Sequence, residues 1–97
     1  MRHAGTDTLE QLRDLLVELR QRTLLKEKSP GIFYVKSKAF LHFHDDPSGI
    51  FADVKLDQEN YSRHRVSTRA ERMALLKKVD RSLATWNSGV IRVQSGL

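Results

Sequence analysis

Cysteine is absent from the 97 residues, which excludes disulfides, thiolate nucleophiles and cysteine-ligated zinc or iron–sulfur sites. Long apolar runs are absent as well. Nothing approaches the ~20 residues of a membrane helix, and "MRHAGTDTLEQL" lacks the apolar stretch of a secretory signal. The expectation is a soluble, cytoplasmic protein. No repeat or low-complexity tract occurs, and neither a glycine-rich phosphate loop nor a nucleophile motif is visible. No catalytic residue is therefore assigned, and neither an enzyme activity nor a cofactor is expected. Acidic residues become scarce late in the chain: residues 1–60 hold nine Lys/Arg against ten Asp/Glu, whereas residues 61–97 hold eight against two. The whole net charge of +5 thus comes from the last third, an asymmetry that suits a polyanionic partner.

What is present supports a single domain over residues 1–97, with 1–6 and 94–97 expected to fray. Leu9, Leu12, Leu16 and Leu19 recur at helical spacing, widened by Leu15, and predict a helix from about residue 8 to 25. Asp7 is placed to cap it, with Glu10 three residues on, and "KEKSPG" to end it. A second helix follows Thr68, with Glu71 completing a capping box and Met73, Leu76, Val79, Leu83 and Trp86 as its buried stripe. Arg72 falls inside that stripe, where it must snorkel or pair with a carboxylate. Asn87 to Gly89 are read as its stop, and Val90–Val93 as an edge strand or a frayed tail.

Between the helices the period drops to two. Ala39, Leu41 and Phe43 share one face of a strand, and Phe40, His42 and His44 the other. Ile50, Ala52, Val54 and Leu56 share a face opposed by Phe51, Asp53 and Lys55. "DDPSG" is turn chemistry, so the two strands form a hairpin. Pairing Asp45 with Ile50 leaves Asp46 to Gly49 as a four-residue loop. That register sets Phe43 opposite Ala52, Leu41 opposite Val54, His44 opposite Phe51 and His42 opposite Asp53. A slip of one residue would mix the apolar and polar faces, which specifies the register strongly. Upstream, residues 32–44 read either as one long strand or as a hairpin turning at Ser37–Lys38, with the separate strand at 32–36 preferred. "YSRHRVS" offers a further strand near 62–66. The fold class is α+β: two layers, an N-terminal helix, an antiparallel sheet of three to four strands and a C-terminal helix.

Three candidate surfaces follow. Phe40, His42, His44, Phe51, Asp53 and Lys55 form an interaction face on the side of the sheet away from the helices. On one strand face, residues i and i+2 lie ~7 Å apart and cross-strand Cβ atoms ~5 Å apart, so His42, His44 and Asp53 are metal-ligand candidates, with His64 a fourth if its strand is adjacent. The same His42–Asp53 pairing favours a protonated imidazole. Arg63, Arg65, Arg69, Lys77, Lys78 and Arg81 form a basic set suited to phosphate contacts, and the last three fall within ~100° on one helix face. The function expected is a non-catalytic binding domain acting through the sheet face or the basic helix, with a protein or nucleic-acid partner and no membrane. Nucleic-acid binding and metal binding are the named alternatives, and a monomer or an edge-strand dimer the expected state.

The stretch "FYVKSKAFLHFHDDPSGIFADVKLDQE" resembles the central hairpins of the small bacterial YjbR/MmcQ family. The shared marks are a small-residue-plus-Lys turn, here "KSKAF", and a strand ending near Val54-Lys55-Leu56-Asp57. The resemblance covers about a quarter of the chain. It implies a compact α+β domain, sometimes suggested to bind DNA, without an established catalytic site.

Overall fold

The computed structural model describes residues 2–87. In chain order the elements are β1 (Arg2–His3), α1 (Thr6–Gln11), α2 (Arg13–Arg20), β2 (Lys26–Ser29), β3 (Ile32–Val35), β4 (Lys38–Asp46), β5 (Gly49–Val54), β6 (Ser62–Arg65) and α3 (Arg69–Asn87). The α+β expectation holds. Strands β2 to β6 follow one another across an antiparallel sheet, more than the three to four expected, and β1 pairs with the far end of β4. Residues 88–97, with the Val90–Val93 segment and most of the proposed helix stop, lie outside the described residues. Among the described residues no helix is long and apolar enough to cross a membrane.

Helices α1, α2 and α3 cover one face of the sheet. Their Leu12, Leu15, Leu16, Leu19, Leu75, Leu76, Val79 and Leu83 meet Phe33, Val35, Leu41, Phe43, Ala52 and Val54 from the strands. Burial of this apolar surface drives the two layers together. Arg72 occupies the N-terminal position of the α3 stripe, as its spacing required. It donates to the carbonyls of Val66 (2.8 Å) and Ser67 (3.0 Å) and reaches Asp14 of α2 at 3.2 Å. The capping box forms reciprocally: Thr68 N–H donates to Glu71 at 2.9 Å and Glu71 N–H to Thr68 Oγ1 at 3.2 Å. Met73, expected in the stripe, is 46% exposed, and Leu75 is buried instead. A 3.6-residue period through Arg72, Leu76, Val79, Leu83 and Trp86 puts residue 75 on the inner side and residue 73 outside.

The N-terminal helix differs from expectation in three ways. It breaks at Leu12, whose backbone leaves helical angles (φ −95°, ψ 14°) and divides α1 from α2. Gly5 rather than Asp7 is the N-cap, without a side-chain capping bond, and Asp7 lies in the first turn. The helix also ends at Arg20, not near 25, because "KEKS" is edge strand β2 and Pro30–Gly31 turns it into β3. Gly31 has a φ of +76°, which glycine adopts without strain. Glu27 holds the junction, accepting from Arg20 at 2.6 Å and from Gly31 N–H at 2.8 Å. Arg2–His3, expected to fray, is instead paired as β1.

The separate strand forms as β3, but it ends at Val35 and its turn lies one residue earlier than Ser37–Lys38, because Lys38 already pairs with Val35. Lys36 and Ser37 turn it into β4 with φ of 50° and 69°, the doubly left-handed backbone of a two-residue hairpin turn. In the next hairpin Phe43↔Ala52, Leu41↔Val54, His44↔Phe51 and His42↔Asp53 pair as expected. The ladder continues to Asp46↔Gly49, so the loop is Pro47–Ser48 rather than four residues. Asp46 tightens it, accepting from Ser48 N–H at 3.0 Å.

Phe40 overturns its assignment. Against β3, Leu41 pairs with Phe33 but Ala39 pairs with Tyr34, leaving Phe40 as an extra residue in β4. Such a bulge re-aims a side chain. Phe40 is fully buried in the core, edge-on to Trp86 with ring centroids 6.5 Å apart. It is not part of the open face.

A candidate metal centre on the open sheet face

The pleat of β4 carries His42 and His44 to the face opposite the helices, and β5 brings Asp53 beside them. β6 then sets Arg63 directly across from Asp53. Asp53 is 7% exposed, so its carboxylate requires partners. Arg63 donates from Nε to Oδ1 at 2.7 Å and from Nη2 to Oδ2 at 2.8 Å. His44 Nε2 lies 2.9 Å from Oδ2 and His42 Nε2 3.6 Å from the same oxygen. Tyr61 packs edge-on against His42 at 4.9 Å, and Lys55 Nζ lies 4.9 Å over the Tyr61 ring.

The hydrogen bonds from Arg63 hold the Asp53 carboxyl below its ordinary range, and the positive charge of Arg63 adds to this. His42 is also pushed down, first by burial and then by the charge of His44, with Asp53 opposing. The expected preference for a protonated His42 is therefore reversed, because desolvation and neighbouring positive charge outweigh one carboxylate. A neutral imidazole is the form that binds metals.

One ligand atom each from His42, His44 and Asp53 lies within 4.8 Å of the others. Ligands of a tetrahedral zinc site, with bonds of ~2.0–2.1 Å, sit roughly 3.3 Å apart. The 2.9 and 3.6 Å separations around Oδ2 bracket that value. Arg63 stands where an outer partner that orients the carboxylate would stand.

The other candidates distribute unevenly. Phe51 and Lys55 are half-buried on this face. His64 is on the adjacent strand but pairs with Ala52, so the pleat turns it to the helix side, where its Nε2 is 2.8 Å from Ser62 Oγ. It cannot be a fourth ligand. The six basic residues do not form one surface. Arg63 is bound to Asp53, Arg65 bonds Glu71 at 3.1 Å, and Arg69 lies 4.0 Å from Asp14. Lys77, Lys78 and Arg81 are exposed on α3, across the sheet from Arg63.

Sequence reasoning missed His3. Its strand pairs His3 with His44, and its ring centroid lies 5.1 Å from that of His44 and 5.9 Å from that of His42. A two-residue strand carries no periodic signal by which to find it. Arg63 was identified as a cation but not as the partner of Asp53, which the β5–β6 register alone decides.

Comparison with known protein families, with curated proteins and with solved structures finds no match to this chain.

Proposed function

We propose that this is a binding domain whose working surface is the open face of the sheet, and that His42, His44 and Asp53 take a divalent transition-metal ion there. One observation carries the reading: two imidazole nitrogens and a carboxylate oxygen converge within 4.8 Å on the face that the helices leave uncovered. Imidazole and carboxylate donors suit ions of the zinc class, and the absence of cysteine disfavours softer ones. The orienting bonds of Arg63 and the depressed basicity of His42 both favour ligation over protonation. The test is calorimetric titration of metal-free protein with Zn²⁺. The wild type should bind one equivalent, and His42→Ala and His44→Ala should lose most of the heat. No saturable binding by the wild type would end the reading.

Lys77, Lys78 and Arg81 support a second reading, sequence-independent contact with nucleic acid through α3. They are exposed, with no ion pair to a carboxylate among the described residues. Anisotropy of labelled random DNA and RNA should then fall steeply with salt and with the triple Ala variant. No binding in dilute buffer removes this reading.

A further inference from the structure

Resting on the metal-binding reading, we infer that His3 is a fourth ligand and that the bound ion clasps the N-terminal strand to the sheet. β4 lies between β1 and β5, so His3 and Asp53 approach the His42–His44 pair from opposite sides. An ion held among them sits over β4 and links three strands. The three-residue set leaves one position of a tetrahedron open. His3 is the described imidazole next to the pair, with ring centroids 5.1 Å from His44 and 5.9 Å from His42, and it would turn its ring to complete the set; His64 faces the helices. The resulting set of three imidazoles and one carboxylate is complete without cysteine and fits Zn²⁺ or Co²⁺.

The clasp has a structural consequence. β1 is two residues long, and its pairing to β4 is extended by Ala4 N–H donating to the Phe43 carbonyl at 3.2 Å. So short a strand has little stability of its own. It leads through Ala4 and Gly5 into α1, which is tied to β4 by Thr8 Oγ1 donating to Asp45 Oδ2 at 3.1 Å. Beside His3 and His42 lies a cavity of about 150 Å³, lined also by Pro30 and Ile32, where β1 and β3 leave a gap along the edge of β4. Metal binding therefore couples to docking of the N-terminal segment: with the ion, β1 gains a side-chain tie to the sheet in addition to its backbone pairing.

The test uses the full chain as wild type, His3→Ala and His44→Ala. His3 is exposed, so its replacement leaves the core untouched. Zn²⁺ affinity is measured by calorimetry, coordination by the visible absorption of the Co²⁺ form, and docking by hydrogen exchange at the Ala4 amide. The wild type should show the intense absorption of four-coordinate Co²⁺, and Zn²⁺ should slow Ala4 exchange. His3→Ala should bind Zn²⁺ more weakly by at least the ~10-fold that even an outer partner contributes, with a fainter Co²⁺ spectrum and no metal effect at Ala4. Unchanged affinity, spectrum and exchange in His3→Ala, with binding abolished in His44→Ala, would overturn the clasp and leave the three-ligand site standing. Absence of binding by the wild type would overturn both.

Discussion

Arg63 grips both carboxylate oxygens of Asp53, at 2.7 and 2.8 Å, across the β5–β6 ladder. A nearly buried acid at the centre of an otherwise open sheet face is held ionised by this bidentate bond, and it in turn holds His44. Removing the acid strands three cationic or polar partners, so Asp53→Ala should destabilise by ~1–3 kcal/mol, less than a fully buried pair because the guanidinium is half-exposed. His42→Ala and His44→Ala should each cost less. Urea denaturation checks this; an Asp53→Ala midpoint equal to wild type would mean that the carboxylate does not organise the face.

Phe40 and Phe51 were alike on the pleat and differ in the fold. Phe40→Leu should cost ~1–2 kcal/mol, since it opens space against Trp86, while Phe51→Leu should stay within ~0.5 kcal/mol. Equal effects in thermal or urea unfolding would contradict the bulge that turns Phe40 inward.

Ser37 sits at φ 69° in the turn between β3 and β4, a backbone that costs an L-residue about 1 kcal/mol. Ser37→Gly should therefore raise stability by up to about 0.5 kcal/mol, once the extra freedom glycine gives the unfolded chain is set against that relief. A lowered denaturation midpoint would argue against the left-handed turn.

His64 has its basicity lowered by burial, then by the charge of Lys78, with Asp53 opposing. A base whose folded pKa falls below its ordinary 6.5 binds fewer protons folded than unfolded. Its stabilising contribution is thus complete above pH 6.5 and is lost as pH falls from there through the lower folded value. His64→Gln, which cannot charge, should lose less stability than wild type between pH 7.5 and pH 5. His42 is shifted the same way and remains in both proteins, so the difference between the two urea curves isolates residue 64. Parallel losses would show that residue 64 stays solvated.

Much of the central hairpin was legible because both strands alternate strictly and a one-residue slip would bury His42 or Asp53 among apolar side chains. That alternation specified Leu41↔Val54, and with it the meeting of His42 and Asp53. The α3 cap and the inward Arg72 were legible for the same local reason: a helix repeats every 3.6 residues wherever it lies. Strand β2 was not, since "KEKS" is a polar edge whose pairing comes from its partner and not from its own pattern.

The amino-acid order alone thus determined the inner face of α3 save Met73, the β4–β5 register and all three converging ligands. Only tertiary structure decided that β1 would lie along β4 with His3 beside His44, that β6 would aim Arg63 at Asp53, and that Phe40 would turn into the core. Periodicity is a property of one segment and is written in it. Which segments become neighbours, and where a ladder gains a residue, depends on how the whole chain buries its apolar surface, and no single segment records that.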